Sequence, residues 1–226
     1  MLPKDAQSHD SGRDLLKLLA LLTMTIDHVG LMLYPQILAL RYVGRLSFPL
    51  FAYLLVLGVS STHNLTKYFK RMLIFAFISQ LPYTIANEIP LGQKLNIFFT
   101  LSLGIMFIYL QERNNILFIA PLAASIVLPM EYGAYGLATI LCLNIMRSYK
   151  RTGVVLLIAL NLLITPFGAM YQPLALLSLP LILLHKSGRL SVINLKISLH
   201  PTITRYLFYA YYPIHLIALS LIRSIT

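Results

Sequence analysis

Charged residues are scarce in this chain. Only 11% of its 226 residues are charged and 58% are hydrophobic, with a mean hydropathy of +0.77. A soluble domain carries roughly 25% charged residues. The composition therefore excludes an ordinary soluble protein and predicts one embedded in lipid. The length allows one compact bundle, so we expect a single domain over residues 1–226.

Several common chemistries also lack their sequence signals. The single cysteine, Cys142, lies within an apolar run, so no disulfide can form within the chain. Neither a G-x-S-x-G elbow, nor a C-x-x-C pair, nor a glycine-rich phosphate loop occurs. His63, His185 and His200 stand in polar segments without the spacing of zinc ligands. We therefore expect no metal site.

The net charge of +11 comes from 18 basic and 7 acidic residues. The basic residues occupy gaps between apolar runs, where membrane orientation explains them, so we do not expect nucleic-acid binding. With the N-terminus in the cytoplasm, 14 of the 18 fall on the cytoplasmic side. The other four are Arg41, Arg45, Lys94 and Arg223. This bias predicts a cytoplasmic N-terminus and an outer C-terminus.

Nine apolar runs are candidate membrane spans, although most are shorter than the twenty or so residues that usually cross a bilayer. We therefore predict an all-α, polytopic transmembrane bundle of about nine spans. No small-residue cleavage site follows the first run, so that span is expected to stay uncleaved. The seventh and eighth runs can also form one re-entrant hairpin in place of two full crossings, with its tip at Thr165, Pro166 and Gly168. The runs are residues 18–33, 37–61, 72–86, 95–110, 116–130, 132–146, 154–165, 167–184 and 206–222.

Polar side chains recur inside these runs, although a central charge costs about 2.5 to 3.5 kcal/mol to insert. Asp27 and His28 in the first run and Arg45 in the second are predicted at similar depth. Five further polar residues from three other runs fall in the same layer, and they are Gln80, Tyr83, Asn96, Thr100 and His215. The pattern predicts an internal polar cavity.

Two interpretations of this layer stay open. Asp27 and Arg45 can form a buried ion pair that fixes helix register, with the amides and hydroxyls joining helices. Alternatively, His28 serves as a general base beside them, because a histidine takes a proton near physiological pH.

Four segments resemble one family, the TraX proteins. They are residues 17–30 (KLLALLTMTIDHVG), 41–58 (RYVGRLSFPLFAYLLVLG), 67–83 (KYFKRMLIFAFISQLPY) and 95–104 (LNIFFTLSLG), with weaker similarity at 132–136 and 211–216. The most specific elements are D-H-x-G and G-R-x-x-F-P-x-F. TraX proteins are bacterial inner-membrane proteins associated with conjugation and known for acetylating the N-terminal amine of pilin.

The resemblance implies an acetyl-CoA-dependent N-acetyltransferase of the inner membrane, acting on pilin or another amine-bearing acceptor. On it, Asp27, His28 and Arg45 are expected in catalysis, with His28 either as general base or as the nucleophile of an acetyl-histidine intermediate. It highlights five more residues as substrate-binding candidates, namely Gln80, Tyr83, Asn96, Thr100 and His215. We expect the CoA phosphates to meet basic residues of the cytoplasmic face, which are Lys67, Lys70, Arg71, Arg147, Lys150 and Arg151.

Two rival functions fit the same sequence. A small transporter or lipid-handling protein would use Asp27 and Arg45 as a gate and His28 as a proton relay. A non-catalytic assembly factor for a pilus or conjugation machine would need none of these roles. The oligomeric state does not follow from the sequence.

Overall fold

The computed structural model describes residues 10–167, 170–192 and 201–225, and these residues are helical without a β-strand. Lys4, Lys196 and His200 lie outside the described residues. The predicted all-α fold is confirmed within them. The α-helices are α1 (Ser11–Met32), α2 (Leu38–Gly44), α3 (Ser47–Ser61), α4 (Leu65–Asn87), α5 (Ile97–Gln111), α6 (Ile119–Val127), α7 (Gly133–Ser148), α8 (Lys150–Leu163), α9 (Leu179–Lys186) and α10 (Pro201–Arg223).

Short polar side chains start several of these helices. Asp10 caps α1 by accepting from the Arg13 backbone N–H at 3.0 Å, and Asn64 caps α4 by accepting from that of Lys67 at 2.8 Å. Asn96 caps α5 in the same way. Such caps satisfy N–H groups that have no partner inside the helix.

Among the described residues, two helical segments are long and apolar enough to cross a membrane by length and composition, Ser11–Met32 and Leu38–Ser61. The second comprises α2 and α3, which are separated by a break at Arg45 and Leu46. The number of nine spans therefore stays a prediction.

The eighth predicted span, residues 167–184, is not one helix. The chain forms 3-10 helices at Thr165–Phe167 and Gln172–Ser178 before α9 begins at Leu179. Pro173 and Pro180 lack the N–H that a continuous helix would use, which favours this interruption. The tip of the alternative hairpin, at Gly168, lies outside the described residues.

Basic residues cluster where several helix ends meet. The start of α1 joins the end of α3 through Arg13, whose Nη1 donates to Ser61 Oγ at 3.2 Å. The end of α5 joins the end of α7 through Glu112 and Arg147, 3.4 Å apart. We call this end of the bundle the basic end.

Other contacts join the opposite ends of the same helices. Glu88 follows α4 and pairs at 3.0 Å with Arg223, the last residue of α10. Leu95, before α5, pairs with the connection between α6 and α7, because its N–H donates to the Pro129 carbonyl oxygen at 2.8 Å. These contacts bring the start of α5 beside the start of α7.

Candidate functional site

A cavity of about 50 Å³ lies between α1, α3, α5, α10 and the α6–α7 connection. Its walls are mostly apolar and aromatic, with a few polar groups among them. A void of this size holds a few water-sized groups. The lining residues that carry polar side chains are Asp27, His28, Ser47, Glu131, Tyr132 and Tyr212. We call this cavity the central pocket.

The D-H-x-G element packs α1 tightly against α2. A Cβ on Gly44 would lie closer than 3.0 Å to three side-chain atoms of Asp27, and one on Gly30 would lie 2.6 Å from Leu40 Cβ. The two glycines therefore permit a close helix approach. Arg41 then reaches Asp27, donating from Nη1 to Oδ2 at 2.7 Å and to the backbone oxygen at 3.1 Å.

Arg45 is not the partner of Asp27, so the predicted Asp27–Arg45 pair is wrong. Because α2 ends at Gly44, Arg45 lies at the break and its Nη1 approaches Gln172 Oε1 at 3.5 Å. Gln172 in turn donates to the Tyr135 hydroxyl at 2.7 Å. Arg45 therefore belongs to a polar network beside the central pocket and does not line it.

His28 and His215 form a direct hydrogen bond between α1 and α10. His28 Nδ1 and His215 Nε2 are 2.9 Å apart, and His215 Nδ1 lies 2.9 Å from the Tyr211 carbonyl oxygen. A carbonyl only accepts, so the neutral His215 carries its hydrogen on Nδ1 and accepts at Nε2. His28 must then donate from Nδ1, which leaves the lone pair on its Nε2. This order of hydrogen bonds makes His28 Nε2 the basic nitrogen of the pair.

Additional contacts hold α10 against α1 at this level. The Tyr211 hydroxyl lies 2.7 Å from Thr25 Oγ1, and the Tyr211 ring stacks on His215 with centroids 5.2 Å apart. Both histidines are buried, at 8% and 7% exposure. The ring positions are therefore fixed by packing as well as by hydrogen bonds.

Glu131 is held at both of its backbone polar groups. Its N–H donates to the Leu95 carbonyl at 2.9 Å, and its carbonyl accepts from Thr100 Oγ1 at 2.5 Å. Part of the residue is exposed, but Oε2 is buried. Glu131 lies in the connection between helices, where burial raises the pKa of its carboxyl to about 7. Lys94 and the Ile97 backbone N–H oppose that shift.

Tyr212 and Glu131 both line the central pocket and lie close to each other. The hydroxyl and the carboxyl group interact, yet Tyr212 Oη and Glu131 Oε2 have no well-formed hydrogen bond within the described part of the chain. Asp27 Oδ1 is a third buried oxygen without a hydrogen-bond partner in the described part of the chain. Three polar atoms of the pocket thus keep free hydrogen-bonding capacity.

The G-R-x-x-F-P-x-F element supplies one aromatic wall of the central pocket through Phe48. Phe48 stacks on Tyr132 with centroids 4.0 Å apart and planes 10° from parallel. Tyr132 has a φ of 62°, a left-handed conformation that costs a bulky residue about 1 to 2 kcal/mol. Gly136 leaves room for this stack, because a Cβ there would lie 3.2 Å from Phe48 Cζ. The stack holds Tyr132 against the pocket.

The remaining predicted substrate-binding residues divide by position. Gln80 and Asn96 bond each other at 2.8 Å and join α4 to the start of α5, while Thr100 fixes Glu131. Tyr83 is buried. None of these four lines the central pocket, and His215 contacts two residues that do, His28 and Tyr212. The structure therefore brings together Asp27, His28 and His215 from the predicted set.

The predicted CoA-binding cations lie at or near the basic end. Lys67 and Lys70 are exposed on the first turns of α4, and Arg71 lies over the Tyr68 and Tyr209 rings. Arg147, Lys150 and Arg151 are exposed around the junction of α7 and α8. Positive charge at this location is compatible with an anionic ligand but does not identify which ligand binds.

Sequence reasoning missed Glu131 and Tyr132 and gave no role to Tyr212. The available signal was a lone carboxylate between two apolar runs, at the joint between the fifth and sixth candidate spans. In the described residues, no group of three His, Cys, Asp or Glu side chains is arranged to hold a metal ion.

Comparisons with known proteins cover nearly the whole chain. A family model described as TraX protein matches residues 12–223. An uncharacterized protein of Rickettsia prowazekii (strain Madrid E) is 36% identical over 111 residues, which are 49% of this chain and only 42% of that protein. A probable fimbrial assembly protein, FimC of serogroup H1 from Dichelobacter nodosus, is 27% identical over 236 residues, covering 89% of this chain and 91% of that protein. No solved structure matches the chain.

Proposed function

The chain belongs to the TraX family, and from this membership and the central pocket we propose that it is a membrane N-acetyltransferase with a role in pilus or conjugation biology. The donor is acetyl-CoA, and the acceptor is a primary amine such as the N-terminus of pilin. The family match and the similarity to a fimbrial assembly protein support a membrane protein related to pili. The acetyl-transfer step is our proposal.

The hydrogen-bonded pair of His28 and His215 carries this proposal. His28 Nε2 has an available lone pair and His28 lines the pocket, so it is suited to act as a general base. In the proposed reaction, His28 takes a proton from the acceptor ammonium. The free amine attacks the thioester carbonyl, the C–S bond breaks, and an amide and the CoA thiol result. The proton on His28 passes to the CoA thiolate, and the second proton, which the nitrogen loses as the amide forms, is released to solvent.

Four further residues have supporting roles in this scheme. Arg41 fixes the Asp27 carboxylate, which borders the pocket beside His28. The Tyr212 hydroxyl is a candidate donor to the oxyanion that forms during transfer, where one hydrogen bond contributes about 3 kcal/mol. Arg45 is a positioning residue, because it contacts Gln172 and not the pocket.

The size of the pocket restricts how the donor binds. About 50 Å³ accommodates an acetyl group or an amine but not a nucleotide. We therefore place the CoA nucleotide at the basic end, with the acyl end of the pantetheine arm reaching the pocket. Exposed Lys67, Lys70 and Arg151 supply positive charge there.

We also propose that the basic end faces the cytoplasm. The positive-inside bias supports this orientation. In the described residues, the start of α1 and the ends of α3, α5 and α7 lie at one end, while the end of α10 lies at the other with Glu88. The C-terminus would then be periplasmic in an inner-membrane bundle of about nine passes.

Acetyl transfer is tested with purified protein, radiolabelled acetyl-CoA and a pilin-derived peptide. We expect label on the peptide with the wild-type chain and at least about a hundredfold less with His28→Ala, the contribution typical of a general base. His63→Ala is the matched control, because His63 is exposed in the α3–α4 connection. Wild-type transfer by His28→Ala would remove His28 from the mechanism, and the absence of CoA binding would end the proposal.

A second candidate function is a non-catalytic role in fimbrial assembly. Its support is the similarity to the FimC protein, whose name describes assembly. This candidate predicts that a strain carrying His28→Ala assembles pili as well as the wild type does. The enzyme proposal predicts assembled pili with an unacetylated pilin N-terminus, which mass spectrometry of pilin distinguishes.

A further inference from the structure

Three buried oxygen atoms of the central pocket lack hydrogen bonds among the residues described, namely Asp27 Oδ1, Glu131 Oε2 and Tyr212 Oη. All three residues line the same cavity, and Tyr212 is only 4% exposed. Buried polar atoms in proteins are almost always hydrogen-bonded. The arrangement therefore indicates a guest group that donates hydrogen bonds.

The charges on these residues favour a cationic donor. The charge of Asp27 is already balanced by Arg41, whereas Glu131 lines the pocket and its buried Oε2 has no hydrogen-bond partner among the described residues. A primary ammonium group carries three N–H donors and no acceptor. It therefore supplies one N–H for each of the three oxygen atoms, and its positive charge complements the carboxyl group of Glu131.

The apolar walls of the cavity suit the alkyl carbon that is attached to the ammonium nitrogen. Phe51, Phe98 and Phe208 line the cavity, and their faces attract cations as well as apolar chains. The cavity of about 50 Å³ admits an ammonium head and the adjacent carbon. A trimethylammonium head is larger and carries no N–H donor, so it satisfies none of the three oxygens.

We propose that the central pocket is a recognition site for a primary ammonium group, held by Glu131 and Tyr212 with Asp27 Oδ1 as the third acceptor. This inference deepens the proposed function, because it assigns the residues that select the acceptor amine. His28 lines the same cavity, so the ammonium is bound beside the base that deprotonates it. Binding of the ammonium group itself requires neither acetyl-CoA nor acetyl transfer.

The test measures binding of small probes to the purified full chain in detergent, without acetyl-CoA, by ligand-observed NMR. The probes are n-butylammonium chloride, butan-1-ol and n-butyltrimethylammonium chloride. We expect the primary ammonium to bind and the other two to bind at least about tenfold more weakly, the usual effect of losing a charged hydrogen bond. Equal binding of the alcohol and the ammonium would overturn the inference.

Variants then assign the site. Glu131→Gln and Tyr212→Phe should each weaken n-butylammonium binding about tenfold. Glu112→Gln and Tyr109→Phe are the matched controls, because both residues are exposed and outside the pocket. If Glu131→Gln does not fold, Tyr212→Phe decides. Unchanged binding in a folded Glu131→Gln or Tyr212→Phe protein would refute the assignment.

The result is separable from the proposed function. Ammonium binding that depends on Glu131, without any acetyl transfer to an amine, would support the recognition site and remove the enzyme proposal. Acetyl transfer that n-butylammonium and butan-1-ol inhibit equally would support the enzyme and remove the recognition site.

Discussion

Substituting Gly44 with alanine tests the close contact between α1 and α2 on which the central pocket depends. The new Cβ would lie closer than 3.0 Å to Oδ1, Cβ and Cγ of Asp27. Oδ1 can rotate away, but the Asp27 Cβ is fixed to the helix backbone, so the helices must separate. We expect Gly44→Ala to weaken the Asp27–Arg41 bond and to reduce acetyl transfer.

The structure sets the size of this effect. Overpacking of this kind costs up to about 3 kcal/mol, and the gain in helix propensity from glycine to alanine returns about 1 kcal/mol. The net loss of about 2 kcal/mol corresponds to a fall in melting temperature of about 4 to 8 °C for a chain of this size. The assay is thermal unfolding in detergent, followed by size-exclusion chromatography.

A double-mutant cycle identifies the atoms responsible. Asp27→Gly removes all three clashing atoms, so Gly44→Ala should cause no further loss in that background. Fully additive losses would place the clash elsewhere. A Gly44→Ala protein with the wild-type melting temperature would refute the close contact itself.

Three other changes report on separate parts of the pocket. His215→Phe removes the acceptor that sets the His28 tautomer and should lower acetyl transfer at least about tenfold while the fold persists; unchanged transfer would contradict this. Because the pKa of Glu131 is raised to about 7, n-butylammonium binding should strengthen between about pH 6 and pH 8 as the carboxyl loses its proton. Glu131→Gln should remove this rise, and a rise that persists in the Glu131→Gln protein would contradict the assignment to Glu131. Phe48→Leu loses the stack on Tyr132 and should cost about 1 kcal/mol of stability, measured by the same thermal assay.

Much of the helical framework follows from local sequence. Predicted runs at residues 95–110 and 132–146 correspond closely to α5 and α7, because a run of apolar residues is a local signal. The run at 167–184 fails as a single helix, since its prolines interrupt it. The placement of Asp27 and His28 at one pocket was also predictable, as both belong to one motif on one helix.

The partner of Asp27 illustrates what local sequence leaves open. Arg41 and Arg45 are four residues apart, a spacing that puts both on the same face of a continuous helix. In the structure, Arg41 reaches Asp27, whereas Arg45, which directly follows the end of α2, reaches Gln172. From the sequence we placed Arg45 at the depth of Asp27 and did not identify Arg41 as its partner.

By itself, the sequence determined the membrane character, the helical class and the basic residues between apolar runs, because these depend on composition and order along the chain. Only the folded structure shows that His28 contacts His215, which is 187 positions away, and that Glu131 lines the pocket from a connecting segment. Contacts between distant helices depend on their rotation and tilt, which arise when buried side chains pack together. The tautomer of His28, which the hydrogen bond to His215 sets, therefore cannot be predicted from the sequence of α1 or of α10 alone.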